Sequence, residues 1–307
     1  MERRWKGGTG GGTLGQRGLI FMFRWFDLRL GYAIMAVVVP FYMLFARKGY
    51  LAIYRYFRRQ WGYPAWRSSW KTYENHFLFG QVILDRFALF AGRQNTFEVE
   101  VAGNEHYQRL AGGEKGFIIA GSHVGNFEIS GYLLNSTGKK INALIYAGET
   151  ETMRTNRAKI LNNNNINLIP VSNDMSHLFA MNAALQNGQI VSMPCDRNHG
   201  SAKSVECDFL HGKADFPLGA FALAASFDVE VLAIFCIKVS TKKYKIFVRP
   251  VSDKRLAASG QQAAGSETAE DRKQKVENLV RAYAGELEDI VTQYPEQWFN
   301  YYEFWKE

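Results

Sequence analysis

From Leu30 to Ala46 the chain reads LGYAIMAVVVPFYMLFA, 17 consecutive residues without a charge. As a helix this run is about 26 Å long, slightly short of a ~30 Å hydrocarbon core. Such a run has to be covered by protein or by lipid, so it constrains everything around it. Extending it back through GLIFMFRWFDLR lengthens it but brings in Arg24, Asp27 and Arg29, which suits an interfacial or snorkelling start. Downstream, no acidic residue occurs from Arg47 to Tyr73. Arg47, Lys48, Arg55, Arg58, Arg59, Arg67 and Lys71 are interspersed there with aromatics that include Trp61, Trp66 and Trp70. Cations and amphipathic rings beside an apolar helix suit the headgroup layer and place this side in the cytoplasm. The competing reading is a buried helix followed by a basic face whose aromatics fill a core. Stacking on single-stranded nucleic acid is disfavoured by the apolar neighbour.

After Phe97 the pattern changes to alternating strands and helices. Strands are expected at FEVEV (97–101), GFIIA (116–120), NALIY, INLIPV, QIVSM, VEVLAIFCIKV and KYKIFVRPV, with helices near 126–137, 151–161, 174–187 and 217–227. This alternation predicts an α/β fold, a mixed central sheet flanked by helices, preceded by a membrane-associated helical segment. The division falls at residues 1–75 and 76–307. SDKRLAASGQQAAGS (252–266) reads as a surface loop before a charged helix of about 25 residues that stops ahead of Pro295.

An apolar content of 47% with 21% charged residues is that of a folded protein, not a disordered chain. A formal net charge of +8 implies an acidic partner: a membrane surface, a carrier protein or nucleic acid. Cys195, Cys207 and Cys236 are too few and too scattered for a disulfide framework and indicate a reducing compartment. The start, MERRWKGGTGGGTLGQRG, has no apolar run leading to a cleavage site, so it is not expected to be a secretory signal. Gly10, Gly12 and Gly15 match GxGxxG, but no strand precedes them, and a tail or loop is expected instead of a dinucleotide site. No GxSxG elbow or P-loop is present. CDRNH (195–199) and CDFLH (207–211) contain Cys and His that could ligate zinc. The strand-like residues between them favour thiols that act as small core side chains, and no metal is expected.

The chemistry centres on Gly116–Ser130, GFIIAGSHVGNFEIS. His123 follows a buried strand by two small residues, and Gly125-Asn126 leads into a helical pattern. His123 therefore sits at a strand-to-helix edge, where α/β folds bind ligands. A turn at Gly125-Asn126 is expected to fold the Glu128 carboxylate back onto the imidazole, giving a base and its orienter.

GSHVGNFE resembles the His-x4-Asp/Glu signature of the lysophospholipid acyltransferase superfamily, in the branch of the late lipid A acyltransferases. GQIVSMPCDRNHG, VECDFLHGKADFPLGAFALAASFDVEVLAIF and YPEQWFNYYEFW resemble further blocks of that branch in the same order, so the resemblance covers roughly 95 to 305. It implies His123 as general base with Glu128 as its partner. It also implies substrate contacts from Asp196, Arg197, Asn126 and one of Arg154 or Arg157, with Phe209 and Gly212 shaping the acceptor or acyl pocket. The implied reaction moves a fatty acyl group from an acyl carrier protein or coenzyme A thioester to a hydroxyl of an anionic lipid. It takes place at the cytoplasmic face of a bacterial inner membrane, without a cofactor and without nucleic acid. The Gly-rich start and Asp-Arg in place of the commoner Asp-His or Asp-Gln mark a divergent branch, whose acceptor could instead be a polyene-pigment or amino-acid lipid. The rival from another class is a non-catalytic membrane or nucleic-acid binding module.

Overall fold

The computed structural model describes residues 12–133, 138–146, 155, 157, 165–171, 174–197, 203–252 and 268–305. Four helices come first: α1 (Gly12–Trp25), α2 (Leu28–Phe45), α3 (Arg47–Arg59) and α4 (Ala65–Phe90). Gly12 and Gly15 thus begin a helix instead of forming the expected loop. Asp27 caps α2 by accepting from the Arg29 amide at 2.9 Å. Leu28, Gly31, Tyr32 and Val39 bury one side of α2, and helix packing is close there. A Cβ at Gly31 would lie 2.9 Å from the Phe23 ring, and one at Gly80 of α4 would lie 2.7 Å from Met35.

Among the described residues, the other side of α2 has no protein partner. Ile34, Val37, Val38, Phe41, Leu44 and Phe45 are all exposed, and the helix is long and apolar enough to cross a membrane. This exposed apolar face makes α2 the candidate element for membrane association. The basic aromatic stretch divides its labour. Tyr56 and Phe57 of α3 are core residues, while Trp66 and Trp70 of α4 are exposed. Neither of the two sequence readings of that stretch holds throughout. The 75/76 division falls inside α4, which runs through it unbroken.

The remaining elements are β1 (Glu98–Ala102), α5 (Asn104–Gly112), β2 (Phe117–Gly121), α6 (Phe127–Leu133), β3 (Ile141–Tyr146), β4 (Ile166–Val171), α7 (Ser176–Gln186) and β5 (Ile190–Pro194). After them come β6 (Ser204–Phe209), β7 (Gly212–Pro217), α8 (Gly219–Phe227), β8 (Val231–Lys238), β9 (Lys243–Val251) and α9 (Ala269–Gln293). Seven strands form one sheet in the order β1-β9-β8-β2-β5-β3-β4, parallel except where β8 and β9 form an antiparallel hairpin. The fold class is therefore the expected one. Every residue of β8 is buried, as its continuous apolar run requires of a strand covered on both faces.

Alternate residues feed two cores. Ile118, Ala120, Val231, Ala233 and Phe235 pack with α7, α8 and α9. Phe117, Ile119, Leu232 and Ile234 pack with α1, α2, α4 and α5. The antiparallel pair β6-β7 was not among the expected strands. Its alternating burial is regular, but Leu210 at its two-residue turn takes a left-handed φ of 52° with no glycine or asparagine to announce it. The expected 252–266 loop lies beyond Ser252 outside the described residues, as do His199, residues 1–11 and most of 151–161.

Two contacts tie this frame to the C-terminal edge of the sheet. In the first, Asp85 of α4 is completely buried and meets the Lys238 ammonium of β8 at 2.6 Å, with the hydroxyls of Tyr32 and Tyr244 donating to the same carboxylate. Burial pushes the Asp85 carboxyl up against the pull of Lys238, and pushes the Lys238 ammonium down against the pull of Asp85. In the second, Gly125 has a φ of 62°, and a Cβ there would lie 2.0 Å from the Cys236 carbonyl oxygen.

Asp85→Leu leaves an unpaired ammonium in the core and is expected to lower stability by about 3–5 kcal/mol, while Asp85→Leu combined with Lys238→Met recovers most of the loss. Unfolding of detergent-solubilised protein checks this; simple additivity would show the pair to be uncoupled. Gly125→Ala is expected to cost about 2–4 kcal/mol, from the left-handed backbone and the carbonyl clash together. A melting temperature equal to that of the wild type would refute the constraint.

Candidate active site

The parallel register of β2 and β5 builds the site. Gly121 is paired with Pro194, and the Cys195 amide continues the ladder by donating to the Gly121 carbonyl at 2.9 Å. Two residues beyond each paired end lie His123 and Asp196. They meet at the C-terminal edge of the sheet, the usual crevice for ligands in such folds. His123 Nδ1 lies 2.7 Å from Asp196 Oδ1, and the His123 amide donates to Oδ2 at 2.8 Å. The indole Nε1 of Trp298 also donates to Oδ2, at 3.3 Å.

Asp196 is 0% exposed and the His123 side chain 22%. Burial alone would push the Asp196 carboxyl up; the charge and hydrogen bond of the imidazole, with help from Arg197, bring it instead to about 2. An ionised carboxylate on Nδ1 holds the proton there and leaves Nε2 as the basic nitrogen. This is the geometry of a base and its orienter.

The carboxylate on the imidazole is thus Asp196 and not the expected Glu128. Glu128 stands in the first turn of α6, where its Oε1 is taken by two guanidiniums, Arg86 of α4 at 2.7 Å and Arg157 at 2.9 Å. Sequence proximity favoured Glu128, whereas strand register brings in a residue 73 positions away. The result is a carboxylate flanked by two guanidiniums. Arg157 is buried beside it; Arg154 lies outside the described residues.

The other expected contacts are placed differently. Asn126 is buried and engaged within the fold. Its side-chain oxygen accepts from the Ile129 amide at 3.2 Å, its side-chain nitrogen donates to Tyr244 Oη at 3.2 Å, and its amide donates to the Cys236 carbonyl at 2.7 Å. It caps α6 and fixes the turn after His123. Arg197 donates from Nη2 to the Phe299 carbonyl at 2.6 Å and lies 5.6 Å from the Tyr302 ring, so it clamps the C-terminal segment. Phe209 is core, against Phe216, Trp298 and Phe304, and Gly212 is the spot on which Trp305 rests, 2.6 Å from where a Cβ would be. The three cysteines are buried. Trp298 and Arg86 were missed as site residues: nothing local marks Arg86, and Trp298 stood out only as part of the closing block.

Residues 76–307 match the family model for bacterial lipid A biosynthesis acyltransferases. A comparison with curated proteins finds no match. Among solved structures, the 1-acyl-sn-glycerophosphate (LPA) acyltransferase PlsC from Thermotoga maritima is similar at 16% identity and a TM-score of 0.34, over 83% of this chain and 97% of that one. A likeness at that level carries no argument. The family match spans both strand ends that bear His123 and Asp196, and the chain is an acyltransferase belonging to the bacterial lipid A biosynthesis acyltransferase family.

Proposed function

We propose that this acyltransferase moves a fatty acyl group from an acyl carrier protein or coenzyme A thioester to a hydroxyl of a lipid A precursor or a related glycolipid. The reaction takes place at the cytoplasmic face of the inner membrane. The observation that carries the proposal is the His123–Asp196 pair at the sheet edge, in a chain whose α2 offers an unpartnered apolar face. Nε2 of His123 takes the proton of the acceptor hydroxyl as its oxygen attacks the thioester carbonyl. The tetrahedral intermediate then collapses, the C–S bond breaks, and the imidazolium returns the proton to the departing thiolate. Asp196 holds the tautomer and stabilises the imidazolium without taking the proton itself. No enzyme nucleophile and no cofactor enter this sequence.

The guanidiniums of Arg86 and Arg157 suit a phosphate or carboxylate of the acceptor, with Glu128 holding both in place. The exposed cations of α3 (Arg47, Lys48, Arg55, Arg58 and Arg59) beside α2 support a cytoplasmic orientation, because they match anionic headgroups on that side. The net charge of +8 also favours an acidic carrier protein as donor.

His123→Ala is expected to lower the transfer rate by at least ~10²-fold and Asp196→Asn by about 10²–10⁴-fold, with folding intact. Because Asp196 stays ionised down to about pH 2, its own protonation is not expected to limit the rate near neutral pH. Lipid mass spectrometry on membranes of cells expressing each protein at equal level reads the acceptor directly. A lipid that gains one acyl chain with the wild type alone identifies it, whether glycolipid, polyene-pigment or amino-acid lipid. Equal profiles for wild type and His123→Ala would overturn the mechanism and favour a membrane-binding module. Arg157→Gln is expected to raise the KM for the acceptor about tenfold with kcat little changed; an unchanged KM would remove it from the headgroup site.

A further inference from the structure

The segment after α9 is strapped across the catalytic turn. The Gly125 amide donates to the Gln297 carbonyl at 2.8 Å, Val124 and Trp298 form an antiparallel bridge, and the Phe299 amide donates to the His123 carbonyl at 2.9 Å. The strap is itself anchored. The Gln297 side chain accepts from the Lys238 amide at 3.0 Å and donates to the Lys238 carbonyl at 2.8 Å, while the Asn75 amide group reaches the Glu296 and Trp298 carbonyls, each at 2.9 Å. Trp298 is 1% exposed, boxed in by Tyr56, Phe209, Phe304 and Trp305. A buried indole N–H needs an acceptor, and of the groups around it the one it reaches is Asp196 Oδ2, the oxygen not used by the imidazole ring.

We propose that Trp298 is a positioning residue for the His123–Asp196 pair. Its indole N–H braces the carboxylate and withdraws part of its charge, setting how strongly Asp196 holds a proton on the imidazole. This inference rests on the proposed roles of His123 and Asp196. A carboxylate with no access to water must have its charge matched by donors, and their number sets its basicity toward the histidine. Around the pair stand Arg197 on the Asp196 side, Tyr283 of α9, whose hydroxyl donates to the Gly121 carbonyl at 2.7 Å, and Tyr302 of the strap; Glu128 of α6, five residues after His123, is engaged with Arg86 and Arg157. None of these changes when the indole N–H alone is removed.

The experiment is a pH titration of the His123 ring by nuclear magnetic resonance, using histidine-labelled, detergent-solubilised full-length protein, with the His123 signals assigned by their loss in His123→Gln. No substrate is needed. Trp298→benzothienylalanine keeps the bicyclic shape and deletes the donor; Trp298→Phe serves as a second variant, with melting temperature as the folding control. Removing the donor is expected to raise the His123 midpoint by about 0.5–1 pH unit, with the proton still on Nδ1 in the neutral ring. Asp196→Asn is expected to lower it. A midpoint within about 0.2 unit of wild type in folded Trp298 variants, with Asp196→Asn still shifted, overturns the role of Trp298 alone. No shift in Asp196→Asn overturns the pairing on which it rests.

Discussion

A charged carboxylate without access to water is the constraint on which the rest of the catalytic end depends. Asp196 is tolerable there because the imidazole and amide of His123 and the indole of Trp298 donate to it, and the charge of Arg197, held on the Phe299 carbonyl, adds to them. Each of these groups is held by its own framework, the strand end, the C-terminal strap and the Phe299 carbonyl clamp. The low value of about 2 for its carboxyl is the electrostatic expression of that convergence. Loss of one framework would leave a buried charge under-compensated, so the fold and the proposed base are stabilised by the same contacts.

The same logic recurs deeper in the molecule. Asp85 and Lys238 join α4 to β8 and draw in Tyr32 from α2 and Tyr244 from β9, and Tyr244 in turn accepts from Asn126 in the turn after His123. One hydrogen-bonded chain therefore runs from the apolar helix to the catalytic turn. Through Lys238 it also touches the strap, since Gln297 brackets that residue's backbone on both sides. Seating of the apolar helix α2 and placement of the histidine are linked by contiguous polar contacts in a low-dielectric interior.

Much of the architecture was legible in the residues. The continuous apolar runs at 117–121 and 231–238 read as covered strands, and the charged 25-residue helix stopped ahead of Pro295, as the pattern required. His123 was legible as a strand-end residue followed by Gly-Asn. The hairpin β6-β7 was not, because its turn rests on a leucine in a left-handed conformation, stabilised by tertiary packing and not by turn chemistry. The resemblance implied Phe209 and Gly212 as pocket residues; in the fold they face the aromatic residues of the C-terminal segment.

By itself, the sequence determined that there would be an apolar helix with a cationic flank, an α/β sheet behind it, and a histidine at the end of a buried strand, because each follows from local periodicity and composition. Which carboxylate would serve that histidine was decided by tertiary structure alone. Local spacing offers Glu128, but β2 and β5 pair in parallel, and that register carries Asp196 to the imidazole. Glu128 instead falls between two arginines contributed by α4 and by a distant part of the chain. Strand partners, and hence the neighbours of catalytic side chains, depend on the burial of whole faces, and no short window of sequence contains that information.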